Sequence, residues 1–172
     1  MEIEAEKVQE QIENNKGGLM TTQASTINDL FLAGIDDYRI DNIYSTSGSA
    51  VLTTYLEPFL LHSIVEFDVC NQTLTFTEST DDVEGYFDVT LTTKNKLILS
   101  TIMQKYWLQR DLNNVIGMKS FVSDRDFKRH SAAQNLNARR ELYNMKTEEV
   151  SQMINDYGYD ENDWTSWKNQ DY

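Results

Sequence analysis

Few residues of this chain have the types and spacing that catalysis requires. Its two histidines, His62 and His130, lie in an apolar stretch and just before a predicted helix, and no nucleophile or phosphate-binding motif such as G-x-S-x-G or G-x-x-x-x-G-K occurs in the sequence. The aspartate pairs at 36–37 and 81–82 lack the spacing of a calcium-binding loop. The sequence therefore predicts a protein that is not an enzyme and that holds no cofactor or metal ion.

The single cysteine, Cys70, and the overall charge exclude further classes of protein. One cysteine can form neither an internal disulfide nor a cysteine-based zinc site, so we expect a small buried side chain in a reducing cytoplasm. The formal net charge of −13 argues against nonspecific binding to DNA or to an anionic membrane. The N-terminus is acidic where a secretory signal needs a basic region, so no signal peptide is predicted.

A basic patch interrupts this acidic background between residues 119 and 140. It has a net charge of +4, because its six basic residues are accompanied by only two aspartates. Two interpretations remain open: a solvated helix entrance, or an electrostatic docking surface for an acidic neighbour, either another copy of this chain or a different protein. The basic residues are Lys119, Arg125, Lys128, Arg129, Arg139 and Arg140.

Two further segments combine residue types that point to the protein surface. Residues 78–85 form a turn-rich loop with four carboxylates and no basic residue; these are Glu78, Asp81, Asp82 and Glu84. The tail at 158–172 places four aromatic rings in a polar, acidic setting with no periodicity that would bury them; these are Tyr159, Trp164, Trp167 and Tyr172. Tryptophan and tyrosine are enriched at protein interfaces, so this tail is predicted to bind a partner.

The elements that position these residues are predicted to form a mainly α fold, a small helical bundle with a long C-terminal helix and an inserted β-hairpin near 72–91. The domain spans 25–157, with residues 1–24 forming an N-terminal tail that is flexible or bound to a partner. A first helix of about three turns follows an N-cap at Ser25 or Thr26. Residues 39–49 are predicted to be a loop, and the next helix to begin or to kink near Pro58, with 59–67 buried.

The second half of the chain is predicted to contain two helices. Thr92 or Thr93 caps a helix that ends near Arg110, after which the chain breaks, with one further turn before Gly117. The last helix is predicted from Ser131 to Tyr157, a length of about 40 Å. Its apolar stripe contains Leu136, Tyr143, Val150, Ile154 and Tyr157, widened by Leu142, Met145 and Met153; Trp107 is expected to share one core with Tyr143, Val150 and Ile154.

The order of these parts resembles the head-to-tail connector (adaptor) proteins of tailed bacteriophages. In that family an apolar helix, an irregular loop or hairpin, a helix with a W-L motif and an S-x-x-D-F-K entry into a long C-terminal helix follow one another. The matching segments here are residues 59–67 (F-L-L-H-S-I-V-E-F), 107–108 (W-L), 123–128 (S-D-R-D-F-K) and 131–136 (S-A-A-Q-N-L). The resemblance covers roughly residues 25–157, and the tails lie outside it.

The resemblance implies a structural virion protein of the neck, at the head–tail interface, made in the host cytoplasm. Such subunits form a ring, commonly of twelve copies, that binds the portal protein on one face and a tail completion or stopper protein on the other. DNA passes through the ring without specific binding. In this setting the aromatic tail would bind the portal, the basic patch would join subunits, and the acidic loop at 78–85 would face the lumen or the tail.

Two other classes of function are compatible with the residues. The first is a small helical adaptor or regulatory protein that acts as a monomer or dimer and binds a partner through a helical face. The second is an enzyme with an unfamiliar site.

Overall fold

The computed structural model describes residues 21–35, 38–80, 83–121 and 129–161 of the chain. Within these residues there are four helices and three two-residue strands, which confirms the prediction of a mainly α fold with a small hairpin. None of the described helices combines the length and the apolar composition that crossing a membrane requires. In chain order the elements are β1 (Thr22–Gln23), α1 (Ala24–Ala33), α2 (Tyr38–Glu66), β2 (Phe76–Thr77), β3 (Tyr86–Phe87), α3 (Thr93–Phe121) and α4 (Arg129–Glu161).

Helix α3 is the centre of the domain, because it packs against each of the other three helices. Eight consecutive residues of this helix, 98–105, are all buried, so the helix is covered around its whole circumference for about two turns. Ile98, Leu99, Ile102 and Met103 are at most 1% exposed. Apolar partners reach them from every side: Ala24, Ile27 and Phe31 of α1, Leu52, Leu56, Phe59 and Leu60 of α2, and Val150 and Tyr157 of α4.

The buried stretch of α3 also contains polar side chains, and each has a partner. The hydroxyl groups of Ser100 and Thr101 both donate to the Leu97 carbonyl at 2.8 Å. The Gln104 amide donates to the Phe31 carbonyl at the end of α1, at 3.4 Å. An unpaired buried polar group lowers the free energy of unfolding by about 1–3 kcal/mol. Because these side chains are hydrogen-bonded, other elements can pack over the polar faces of the helix as well as over its apolar faces.

Helix α1 begins two or three residues earlier than predicted and uses a different cap. The sequence predicted Ser25 or Thr26 as the N-cap, but the N-cap is Gln23, whose side chain makes no capping bond. The first free N–H groups are bound by the β2–β3 connection instead: Ala24 donates to the Gly85 carbonyl at 2.8 Å. Long-range contacts thus replace the local cap, which a sequence pattern cannot indicate.

Two predictions for the region of helix α2 are wrong. Residues 39–49 were expected to be a loop, but they are helical, and Ile40 is buried in the core. The break in the helix lies at Gly48, with φ 81° and ψ 178°, and not at Pro58. A positive φ of this kind costs glycine little. Pro58 cannot donate to the Thr54 carbonyl, but both residues are exposed, so water can bind that carbonyl and the helix continues.

The predicted burial of residues 59–67 is correct for one face of α2 and for Phe67, the residue that follows the helix. Phe59, Leu60, Ser63 and Phe67 are at most 5% exposed. On the opposite side His62 is exposed and Val65 is 78% exposed. The stretch therefore packs as an amphipathic helix with one buried face.

The β-hairpin is present, and it gains a third strand from the segment predicted to be a tail. Strand β3 pairs antiparallel with β2, with Phe76 opposite Phe87, and on its other side with β1, with Thr22 opposite Phe87. Thr22 is 4% exposed, and its hydroxyl donates to the Val89 carbonyl and accepts from the Leu91 N–H. Residues 22–24 thus belong to the domain, so the predicted tail at 1–24 is too long at its C-terminal end; residues 1–20 lie outside the described residues.

Helices α3 and α4 both extend beyond the predicted boundaries and form an antiparallel pair. The Thr92 hydroxyl accepts from the Asn95 N–H at 3.2 Å, as predicted for a cap, but α3 continues past Arg110 to Phe121. Helix α4 begins at Arg129 and not at Ser131, and it continues past Tyr157 to Glu161. Contacts between Lys94 and Tyr157 near one end, and between Asp111 and Arg139 further along, establish the antiparallel register.

The outer half of this helical pair lies beyond the buried core. We call residues 106–121 and 129–146 the arm. Among its residues whose burial is described, only Asp111 is buried. The predicted stripe of α4 is therefore divided: Val150 and Tyr157 are in the core, Trp107 and Ile154 pack partly against it, Tyr143 is half-buried on the arm, and Leu142 and Met145 are exposed.

Two leucines of α3 test whether its burial stabilises the domain. Leu99 is 0% exposed and Leu97 is 48% exposed, so the same substitution can be compared on one helix. We expect Leu99→Ala to lower the free energy of unfolding by about 2–5 kcal/mol, because it leaves a cavity in the core. Leu97→Ala should cost about 0.5 kcal/mol or less. Equal losses in urea unfolding of the two variants would contradict the packing described above.

Candidate functional site

An open cleft of about 1100 Å³ lies between α2 and the β2–β3 connection. Its apolar surface comes from α2 and from Val83, and three carboxylates, Glu57, Glu78 and Glu84, contribute charge. No lysine or arginine is among the lining residues that the structure describes, which are Ser25, Ser49, Ala50, Val51, Thr53, Thr54, Tyr55, Glu57, Pro58, Leu61, Glu78, Ser79, Thr80, Val83 and Glu84. The cleft is thus acidic at its edges and apolar along one helix.

Helix α2 presents a strip of mostly apolar residues on its outer side, and the first four members of the strip line this cleft. The members are Val51, Thr54, Pro58, Leu61 and Val65, which recur at steps of three and four, the spacing of neighbours on one helix face; Thr54 is the one polar residue among them. Val51 is 48% exposed, and Leu61 is half-buried. The sequence analysis missed this strip because apolar residues are dense throughout this part of α2. The strip could have been found from the fact that apolar residues occupy two faces of the helix, since only one face can pack on the core.

Two carboxylates hold the acidic loop in place. Glu57 of α2 accepts hydrogen bonds from the Ser79 N–H, at 3.1 Å, and from the Ser79 hydroxyl. Glu84 accepts from the Ser25 N–H at 2.5 Å, which places a negative charge at the N-terminus of α1, where the helix dipole favours it. Of the four carboxylates predicted to face a lumen or a tail, Glu84 therefore also has a structural role, Glu78 is exposed, and Asp81 and Asp82 lie outside the described residues.

The basic patch lies on the arm, and one of its members is used within the chain. Arg139 forms an ion pair with the buried Asp111 of α3 and donates to Asn135 at 3.0 Å, so this guanidinium fixes α4 against α3. Arg140 is exposed. Lys119 lies in the last turn of α3 and Arg129 is the first residue of α4, which puts both at the end of the arm. The positions of Arg125 and Lys128 are outside the described residues.

Tyr159 is the one member of the predicted aromatic tail that the structure describes. It lies on α4 and is 64% exposed. Trp164, Trp167 and Tyr172 lie outside the described residues. The helix continues to Glu161, so the first four residues of the predicted tail, 158–161, are helical.

Tyr157 anchors the end of α4 to the segment that follows α2. Its ring packs edge-on against Phe67 at 4.9 Å, and its hydroxyl donates to the Asn71 side chain and accepts from the Asn71 N–H at 3.2 Å. The Cys70 sulfur lies 3.9 Å from the same hydroxyl and is half-buried rather than fully buried as predicted. Burial raises the pKa of Tyr157, which keeps this hydroxyl protonated as a donor.

A second polar cluster joins α2 to α3 and contains one of the two histidines. Lys105 forms an ion pair with Glu66, its ammonium lies 4.4 Å from the centre of the Tyr106 ring, and His62 stacks on the same ring at 4.9 Å. Burial, followed by the hydrogen bond and the charge of Glu66, raises the pKa of Tyr106 to about 12. General acids and bases work best with a pKa near the working pH, so this tyrosine is poorly suited to that role. The cluster does not line the cleft, and it serves to hold two helices together.

Charge is segregated along the chain in a way that follows the fold. Residues 40–93, which include most of α2 and the hairpin, contain nine acidic residues and no lysine or arginine. Residues 94–146, which include α3 and the arm side of α4, contain eleven lysines and arginines and four acidic residues. One part of the molecule is thus strongly negative and another is positive, although the whole chain is acidic.

Comparison of the chain with protein-family models, with curated proteins and with solved structures found no match. Among the residues that the structure describes, no three His, Cys, Asp or Glu side chains are grouped so that they could hold a metal ion. The features that can be assigned a function are therefore the cleft, the arm and the separation of charge between them.

The two described carboxylates of the acidic loop are expected to differ in their effect on stability. Glu84→Ala removes the acceptor at the N-terminus of α1 and should lower the free energy of unfolding by about 1 kcal/mol, the usual cost of a lost helix cap. Glu78→Ala, an equal change on an exposed residue of the same loop, should cost about 0.5 kcal/mol or less. Chemical denaturation measures both, and a larger loss for Glu78→Ala would contradict the assigned role of Glu84.

Tyr106 is expected to ionise at about pH 12, against an ordinary value of 10.0. The unfolded chain loses this proton first, so the contribution of Tyr106 to stability is complete below pH 10 and is lost as the pH rises to 12. Ultraviolet titration of tyrosinate should show a component near pH 12 that disappears in Tyr106→Phe. Glu66→Gln should shift that component toward pH 10, and an unshifted titration would contradict the role of Glu66.

Proposed function

We propose that this chain is a structural subunit that assembles into a ring joining the head and tail of a bacteriophage particle. The observation that carries the proposal is the arm, the outer half of the α3–α4 pair, which lies beyond the core and carries exposed apolar residues. Ile116, Leu142 and Met145 are between 46% and 67% exposed. Exposed apolar residues on a regular, extended element are a feature of protein-binding surfaces.

The positions of these apolar residues support contact with another protein. Leu142 and Met145 are three residues apart on α4 and therefore lie on the same side of the helix. That side is next to, but outside, the face that meets α3 through Tyr143 and Val150. A partner helix lying along the arm would cover both residues without disturbing the pair.

Separation of charge supports head-to-tail association of copies. The basic arm of one molecule attracts the acidic part of another, which consists of α2 and the hairpin. Because these are different surfaces, each copy can bind two neighbours. Interfaces of this heterologous kind close into rings when the rotation between copies permits. The resemblance to connector proteins suggests about twelve copies, with the portal protein on one face and a stopper protein on the other.

The overall charge fits passage of DNA through such a ring. A chain with a net charge of −13 repels phosphates when its acidic surfaces line a channel. The exposed Glu78, with Asp81 and Asp82 beside it in sequence, would place carboxylates at the lumen or at the tail-facing rim. Repulsion of this kind acts within about 8 Å at physiological salt, so it would keep DNA from adhering without reading its sequence.

A second candidate function is a small helical adaptor that binds one partner protein as a monomer or dimer. The apolar strip of α2 favours it, because Val51 and Val65 are 48% and 78% exposed on one helix face. The mass of the complex with the partner separates the two: a connector forms a ring of many copies on the portal, whereas an adaptor forms a complex of one or two copies.

Removal of the tail beyond α4 tests the connector proposal. Deleting residues 162–172 should leave the unfolding transition unchanged, because all of the described core residues are kept, and should abolish joining to the portal ring. Replacing Trp164 and Trp167 by alanine should weaken portal binding at least about 30-fold, since buried interface tryptophans contribute about 2 kcal/mol or more.

Replacing Asn169 and Gln170 by alanine gives a control in the same tail, and this variant should bind the portal normally. Binding is measured by co-sedimentation with assembled portal rings. Unchanged joining by the chain lacking 162–172 would overturn the role assigned to the tail, and failure of the full chain to bind any portal would overturn the connector proposal.

A further inference from the structure

We infer that the cleft between α2 and the β2–β3 connection binds an amphipathic helix of another protein, with apolar side chains along one face and lysine or arginine beside them. The connector proposal assigns no partner to this cleft, so the inference does not rest on that proposal. The described residues that line the cleft belong to the first turn of α1, to α2 and to the connection, and their side chains are all described.

The cleft has the shape of a groove for a protein segment. Sites for small molecules occupy about 300–1,000 Å³ and enclose most of their ligand, whereas this cleft has about 1100 Å³ and is open along α2. Its α2 side is the first four members of the apolar strip, from Val51 to Leu61, and Val83 belongs to the opposite side. Val51 and Leu61 are ten residues apart on the helix, about 15 Å, so a partner helix of about three turns can lie along the strip.

The charge of the cleft selects a positive partner. Glu57, Glu78 and Glu84 line it, and no lysine or arginine is among the described lining residues. Glu57 and Glu84 accept hydrogen bonds from uncharged donors of Ser79 and Ser25, and such bonds leave the negative charge of a carboxylate in place. Lysine or arginine on an occupant is therefore attracted to the cleft, and carboxylates are repelled.

The polar groups of the cleft also favour an occupant that donates hydrogen bonds. The hydroxyl groups of Thr53, Thr54 and Ser79 already donate within the chain, so their remaining capacity is that of acceptors. The carbonyl of Thr54 lacks its usual helical donor, because Pro58 has no N–H, and both residues are exposed in the cleft. Ammonium and guanidinium groups bring several donors and no acceptor, which complements this arrangement.

Arg110 of α3 lies near the cleft but is not one of its lining residues. Its guanidinium is 5.0 Å from the centre of the Tyr55 ring and 5.7 Å from the centre of the Phe59 ring. Tyr55 lines the cleft, whereas Phe59 is in the core, so Arg110 reaches these rings from the α3 side of α2. The described contacts of Arg110 are thus with aromatic rings and not with the carboxylates of the cleft.

The described surface of α4 is a poorer occupant than a helix of another protein. Leu142 is exposed there, but the basic residues one turn away from it on either side are already ion-paired within the chain. Arg139 pairs with Asp111, and Lys146 pairs with Glu149. A second copy that docked this surface in the cleft would have to break those pairs or leave the carboxylates of the cleft without a cation.

The two ends of the chain are also poorer occupants, because both are acidic. Residues 1–20 contain five glutamates and two lysines, and residues 162–172 contain two aspartates and one lysine. Their net negative charge opposes binding among three carboxylates.

Binding of synthetic peptides to the full chain tests the site. The probe is a helical peptide of about 12 residues with leucine along one face and lysine beside it, and the matched peptide has glutamate in place of lysine. At physiological salt we expect the lysine peptide to bind at least about tenfold more tightly in fluorescence anisotropy, and to shift amide NMR signals of residues 49–61 and 78–84. Equal binding of the two peptides, or shifts concentrated on α3 and α4, would overturn the inference.

Two valines give a matched test of the apolar contact. Val51 lines the cleft and is 48% exposed, whereas Val69 lies outside the lining and is 44% exposed. We expect Val51→Ser to weaken binding of the lysine peptide about tenfold, because it removes apolar surface that the peptide would bury, and Val69→Ser to change it less than about twofold. Equal effects of the two substitutions would show that the peptide binds elsewhere.

Two exposed glutamates give the same comparison for charge. Glu78→Lys, in the cleft, and Glu148→Lys, on α4, change the net charge of the chain equally, so nonspecific attraction of a basic peptide falls equally in both. We expect about a tenfold loss of affinity for Glu78→Lys and less than about a twofold loss for Glu148→Lys. The same loss in both variants would contradict a specific role of the cleft.

Pro58→Ala tests the acceptor at the Thr54 carbonyl. Alanine restores the helical N–H, which should raise the unfolding temperature and at the same time weaken binding of the lysine peptide about fivefold, the usual effect of one lost hydrogen bond. A more stable variant with unchanged affinity would remove the carbonyl from the site.

Other occupants are separate outcomes of the same experiments, and each would overturn the inference. Spermidine that displaces the peptide at equal concentration would indicate a site for small polyamines. Loss of self-association at low salt in Val51→Ser would indicate a second copy, and tighter peptide binding after deletion of residues 1–20 would indicate the N-terminal segment. Val51→Ser that joins the portal normally but no longer binds the peptide would support the inference and leave the connector proposal intact.

Discussion

The whole fold depends on covering α3 on every side between residues 98 and 105. A helix that is half polar at its surface must find partners for its polar side chains before it can be enclosed, and here neighbouring elements provide them. Gln104 bonds to the end of α1, Lys105 pairs with Glu66 of α2, and Ser100 and Thr101 bond within the helix. Each outer helix is therefore positioned on α3 by apolar contact and by a specific polar contact or ring contact, which fixes its register as well as its distance.

The core encloses α3 only in its N-terminal half, and the C-terminal half of the helix forms part of the arm. The buried stretch is residues 98–105, and the helix then continues to Phe121 with α4 beside it, held by the Arg139–Asp111 ion pair. The Asp111 side chain is 9% exposed and the Arg139 side chain is 37% exposed, so the pair is partly buried and joins α4 to α3 at this point of the arm. The sequence of the arm is basic whereas that of α2 and the hairpin is acidic, and this separation of charge is the physical basis of the proposed association of copies.

The sequence allowed the helical class, the hairpin and the C-terminal part of the apolar stripe of α4 to be predicted, because each depends on local periodicity. It misplaced the boundaries where a contact distant in sequence decides them. Residues 39–49 look polar, yet Ile40 reaches the core and makes a helix of them; α1 is capped by Glu84 and Gly85; and β1 was assigned to a tail because its partner, Tyr86–Phe87, is more than sixty residues away. The cleft was not predicted because two elements form it, while the basic and acidic segments were recognised from composition alone.

The most direct test of the account is the dependence of self-association on salt and on protein concentration, followed by sedimentation velocity. Attraction between the basic part of the chain, residues 94–146, and the acidic part, residues 40–93, is screened beyond about 10 Å at 0.1 M salt, so association should be strongest at low salt and should fall steadily as salt is added. The account predicts that association at low salt proceeds past the dimer toward one closed size. A chain that remains monomeric at low salt and high concentration, or that stops at a dimer whatever the salt, would contradict it.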